Sequence, residues 1–163
     1  MFLKLLSRTS KRFTQINLTS DEEGSNHKIL SEGECIARFC FDRDFYKETG
    51  NPKPNVFMPE FFQDKHETSV CRKTNITEER IWEISRVVEE QRKKKSIGRA
   101  DLGVDIICVN ALTAESAPDM KLSYPEHSVI IGWPEGQEET EKAKRKSIAQ
   151  ELASRAKPVK IPS

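Results

Sequence analysis

The feature that most constrains this chain is the pattern at residues 75–109: a capped, charge-sorted helix, a basic turn and then an apolar run. Thr77 is a good N-cap, Glu78 and Glu79 follow in the first turn, and Arg92, Lys93, Lys94 and Lys95 close the last. That order suits the helix dipole, which favours anions at the N-terminus and cations at the C-terminus. At roughly 100° per residue, Ile81, Ile84 and Val88 share one face with Val87 at its edge. Glu89 with Lys93 and Glu90 with Lys94 pair one turn apart on the solvated remainder. The spacing predicts an amphipathic helix over 78–95 lying on a core. Gly98 frees the backbone for a turn, and from Ala100 every second residue through Leu102, Val104, Ile106 and Cys108 is apolar. A strand over 100–109 is the expectation, with a solvated start and an end buried on both sides.

A chain of 163 residues fits one domain that can bury a core without disulfides or metals. Charged residues make up 33% of it, yet the net charge is only +1, so nucleic acid or an anionic membrane is not required as a partner. The basic run at residues 92–99, from Arg92 to Arg99, is therefore a local feature. It can touch phosphates, and it is equally the positive end that a helix calls for. Cys35, Cys40, Cys71 and Cys108 come without a secretory signal or a CxxC, which reads as free thiols in a reducing cytoplasm. Cys108 belongs to the apolar strand face, whereas Cys71 alternates away from Val70, toward solvent.

Along the chain, residues 1–30 read as a flexible or docking arm. Lys4, Arg8, Lys11 and Arg12 come with no acid among residues 1–20, a pattern shared with organellar presequences. The apolar start is too short for a secretory or membrane segment. Ser31 and Glu34 form a capping box that predicts a helix over 31–41, with Ile36, Phe39 and Cys40 on its apolar side. Residues 42–63 are aromatic but broken by prolines, an ordered loop that pins aromatic rings onto the core. A strand over 67–74 leads into the central helix, giving a strand, helix, strand unit of the kind that crosses over to a parallel neighbour. Residues 128–131 form a short interior strand, ended abruptly by Gly132, Trp133 and Pro134. A helix over 138–156 stops at Pro158, leaving 158–163 as a tail. The expected fold is α+β: one domain over 31–157, with a small mixed sheet of about three or more strands covered by about three helices.

No phosphate-cradling loop, dinucleotide fingerprint, HExxH, GxSxG or paired-cysteine metal motif occurs, so no cofactor and no metal is expected. Among His27, His66 and His127, the last is the best candidate for chemistry, because Tyr124, Glu126 and Trp133 crowd around its strand. Cys71 would serve it as a nucleophile, since a thiol needs a nearby imidazole to ionise at neutral pH, and Arg72 would bind an anionic substrate. That is one reading, a small enzyme centred on His127 with Cys71 or Arg72. The other starts from Trp82, which lies about 120° from the centre of the apolar stripe. With Arg86 and Glu89 it would form a partner surface, unless Phe57, Phe61 or Phe62 folds over it.

Ser69, Val70 and Arg72, then Ile81 and Trp82, then His127, Ile130, Gly132, Trp133 and Pro134 form a scattered pattern across residues 56–156. It resembles small bacterial proteins of unassigned activity associated with multi-gene defence loci, including accessory proteins of CRISPR-linked protease systems. The resemblance implies a cytoplasmic accessory that binds other proteins, and it assigns no catalytic residue. A non-catalytic adaptor with a protein partner and no membrane association is therefore the first expectation. The His127 enzyme is the alternative.

Overall fold

The computed structural model describes residues 28–162. Its strands are β1 (Cys35–Phe41), β2 (Glu60–Phe62), β3 (Lys65–Arg72), β4 (Ser96–Gly103), β5 (Thr113–Ser116), β6 (His127–Ile131) and β7 (Lys157–Lys160). They form a seven-stranded sheet in the order β5-β6-β3-β1-β4-β7, with β2 paired beside β3. Every pairing is antiparallel, so the fold is α+β with a larger and more uniform sheet than the sequence pattern suggests. The helices are α1 (Glu78–Arg92), α2 (Val104–Val109) and α3 (Glu139–Arg155).

Helix α1 begins where its cap predicts, the Thr77 hydroxyl accepting from the Arg80 N–H at 3.2 Å. It ends short of residue 95 because Lys93 turns left-handed at φ 51° and the Glu89 carboxylate takes the Ser96 N–H at 2.8 Å, which feeds the chain into β4. Gly98 is thus inside a strand and not in a turn. A Cβ there would stand 2.6 Å from the Val159 carbonyl oxygen, so glycine is what lets β7 lie against β4.

Three expectations are corrected. Residues 31–41 hold a turn and β1, not a helix. The Ser31 N–H does donate to Glu34 Oε1 at 3.0 Å, but this closes a turn that launches an extended chain. Ile36 and Cys40 face one apolar layer while Ala37 and Phe39 face the other, so a strand buried on both sides shows no alternation to read. The strand expected over 100–109 ends at Gly103, and Val104–Val109 is helix α2, with Val104 and Ile107 turned inward and Val109 83% exposed. The tail expected over 158–163 begins inside the sheet, because Pro158 lies within β7 (Lys157–Lys160), an edge strand where its missing N–H is harmless. At the other end, Ile29 bridges Glu115 and Leu30 is buried, so the domain begins before residue 31. The remainder of the arm, residues 1–27, lies outside the described residues.

The expected crossover is present with one difference. Strands β3 and β4 run parallel to each other, as both oppose β1, but β1 is inserted between them. The sheet is covered on both faces. Helix α1 packs Ile81 and Ile84 with Tyr124 over Ala37, Phe39 and Cys71. On the opposite face α2, α3 and the loop residues Val56 and Phe57 enclose Ile36, Leu102, Ile130, Leu152 and Trp133. Phe57 is thus pinned to the core as the aromatic loop predicts, while Phe61 and Phe62 belong to β2 and are 58% and 56% exposed.

Candidate functional site

The β3–β6 register sets Cys71 directly opposite His127, which puts both on one face of the sheet, with Tyr124 edge-on to the imidazole at 5.2 Å. Adjacent residues of a strand point to opposite faces, so Arg72 does not join them. Its Nε donates to Glu34 at 2.5 Å instead. Burial pushes the Glu34 carboxyl up, but hydrogen bonds from the Ser31 N–H, Arg72 and Thr74 outweigh it and hold the pKa at about 2. Cys71 is fully buried, and that burial pushes its thiol up to about 12. A thiol so placed stays protonated at neutral pH and is no nucleophile. His127 Nδ1 lies 2.6 Å from the Ala117 carbonyl oxygen, which only accepts, so the imidazole is tied to the backbone at that nitrogen.

Exposure of the cysteines is thus the reverse of what alternation suggests: Cys71 is sealed, and Cys108, on α2, is partly open. Iodoacetamide at neutral pH is expected to modify Cys108 in the folded protein and Cys71 only on unfolding. A Cys71 adduct formed without unfolding, detected by peptide mass spectrometry, would restore the nucleophile reading.

Trp82 is half-buried, and the phenylalanines of residues 42–63 are not what covers it. Its ring lies over the Arg99 guanidinium at 4.7 Å. That guanidinium, only 3% exposed, reaches Glu78 with two nitrogens at 2.7 and 2.9 Å and Asp101 at 2.9 Å, and Asp101 also binds Lys73. Trp82 is therefore the apolar lid of a four-charge network joining α1, β4 and the end of β3. Beside it runs a groove of about 470 Å³ in which Trp82, Arg86 and Glu89 are brought together, with Ile161 and Pro162 from beyond β7 along its lining. Ser85 also lines this groove, 2% exposed, with a hydroxyl that has no hydrogen-bond partner. Nothing in a helical serine announces a buried hydroxyl such as that of Ser85, and Ile161 and Pro162 follow Pro158, where the helical pattern of the sequence stops.

A second region opens where β1 and β3 part. They pair only through Ile36 with Arg72 and Ala37 with Cys71, and Arg38 fills the split beyond. Its Nε donates to the Val56 carbonyl at 3.1 Å and its Nη1 to the Ser69 carbonyl at 2.5 Å, replacing ladder bonds that the divergence removes. Glu60 on β2 accepts from Arg92 at 2.8 Å and lies 3.4 Å from Arg38. Burial and the nearby Arg92 charge pull the Arg38 pKa below its ordinary value, against the opposing pull of Glu60. This cluster is shared by two cavities, one of about 530 Å³ reaching Tyr124 and His127, the other of about 780 Å³ reaching Arg43, Lys94 and Lys95.

Among the described residues no group of three or more His, Cys, Asp and Glu side chains is placed to hold a metal ion, and no helix is long and apolar enough to cross a membrane. The fold defines a class: a three-layer α+β protein whose antiparallel sheet lies between helices. No family model, curated protein or solved structure matches the chain.

Proposed function

We propose that this protein is a non-catalytic adaptor that binds a protein partner through the groove at Trp82, working in the cytoplasm of a bacterium as part of an antiviral defence system. The carrying observation is that Trp82, Arg86 and Glu89 meet in one groove, with Ile161 and Pro162 beside them in its lining. Tryptophan and arginine are the side chains most often responsible for binding energy at protein interfaces. Free cysteines support the reducing compartment, and the resemblance stated above supplies the defence context.

Arg86 is exposed and takes no part in the Arg99 network, so Arg86→Glu tests the groove without disturbing the fold. Affinity capture with mass spectrometry is expected to recover a partner with the wild-type chain and to lose it with Arg86→Glu, at a thermal midpoint within a few degrees of wild type. Trp82→Ala should lose the partner too, with an added stability cost of about 0.5 to 2 kcal/mol from the stacked guanidinium. A partner kept by both variants removes the groove from the interface.

A further inference from the structure

We infer that the cavity at the end of β1 is a second binding site, for a nucleoside phosphate. Arg38 on β1, Arg43 in the turn after it, Arg92 at the end of α1, and Lys94 and Lys95 in the connection to β4 bring five cations to one space of about 780 Å³. A helix C-terminus accounts for Arg92, Lys94 and Lys95, but it does not call for Arg38 and Arg43, which reach the same space from another part of the chain. The opposing carboxylates are Asp42, Asp44 and Glu60. Asp44 accepts from the Phe41 N–H at 2.7 Å and the Asn55 amide at 2.8 Å, Glu60 pairs with Arg92 and Arg38, and Asp42 is exposed, so five cations face three carboxylates and two positive charges remain in excess. Arg43, Lys94 and Lys95 are exposed. None of the three has a hydrogen bond or ion pair from its side chain to another described residue. A concave surface with this charge excess concentrates field and draws anions from solution.

The rest of the lining is not suited to an anion alone. Phe39, Phe41, Val56, Met58 and Ile97 give the cavity apolar walls, and Ile97 is 40% exposed. The volume lies within the range of small-molecule sites, about 300 to 1,000 Å³. An apolar wall beside unspent cations matches a ligand that joins a flat, weakly polar body to a phosphate chain. A single cavity, on a chain of net charge +1, fits one nucleotide better than an extended strand, which needs a continuous basic track with repeated stacking platforms.

Isothermal titration of the full chain with adenosine triphosphate, pyrophosphate, adenosine and an oligothymidylate tests this, on the wild type and on Lys94→Glu/Lys95→Glu and Arg43→Glu. All three substituted side chains are exposed, and thermal melting of the variants confirms that they fold. Adenosine triphosphate is expected to bind about tenfold tighter than pyrophosphate, with adenosine weaker than both, and each variant is expected to weaken it by about tenfold or more. The site is overturned if adenosine triphosphate gives no heat, if pyrophosphate binds equally well, if the charge reversals leave affinity unchanged, or if only the oligothymidylate binds. These variants lie outside the set used to test the Trp82 groove except that Lys95 also lines it, so Arg43→Glu separates the two sites.

Discussion

Trp133→Ala is expected to lower the free energy of unfolding by about 3 to 5 kcal/mol, the range for truncating a large buried aromatic. The side chain is 2% exposed and belongs to the larger core cluster, with its indole N–H donating to the Ile130 carbonyl at 3.2 Å. Gly132, at φ +85°, makes the backbone reversal that turns the next residue inward from the end of β6. Arg145 on α3 then fixes the exit by donating to the Pro134 and Gly136 carbonyls at 2.6 and 3.0 Å. Every part of the Gly-Trp-Pro turn is thus engaged with the fold, and none faces the groove at Trp82. Urea denaturation is the measurement, with Trp133→Phe expected to fall between wild type and alanine. An unchanged midpoint accompanied by loss of partner capture would move Trp133 from the core to the site.

Arg99→Met is expected to cost about 2 to 3 kcal/mol. Removing one member of a buried ion pair typically costs about 3 to 5 kcal/mol, because the charge left behind has lost its partner in a dry setting. Here the penalty is lower, because Lys73 still neutralises Asp101 and Glu78 is 60% exposed and can return to water. Arg99→Lys should recover only part of the loss, since an ammonium cannot grip Glu78 with two nitrogens and stack under Trp82 at once. Glu78→Gln should cost under about 1 kcal/mol, as expected for a partner that water already solvates. If Arg99→Met and Glu78→Gln prove equally mild in chemical denaturation, the guanidinium is not organising the junction of α1, β4 and β3.

How far the sequence carries is clearest where an element declares itself locally. The Thr77 cap and the charge order of 78–92 are written within one helix, and α1 forms there. The apolar stripe of the last helix and the Val129, Ile130, Ile131 run before Gly132 are equally local, and α3 and β6 follow them closely. Trp82 was legible as a functional candidate for the same reason, its angle from the stripe being a property of the helix alone. The basic run at the end of α1 was legible too, though not its use.

What the tertiary structure decided is what depends on which surfaces are covered. Cys35–Phe41 is the central strand because layers pack on both its faces, and double burial erases the period of two that would have revealed it. Val104–Val109 is a helix because the pairing of β4 with β1 ends at Gly103, opposite Cys35, a fact about neighbours that no apolar run records. The Cys71 and His127 pair needed the β3–β6 register to bring it together and burial to disarm it. Arg38 lies in the segment for which the capping box predicts a helix and which forms β1. Only the splay of β1 from β3 turns it into the link between two cavities, since a side chain's role in a gap exists only once the gap does.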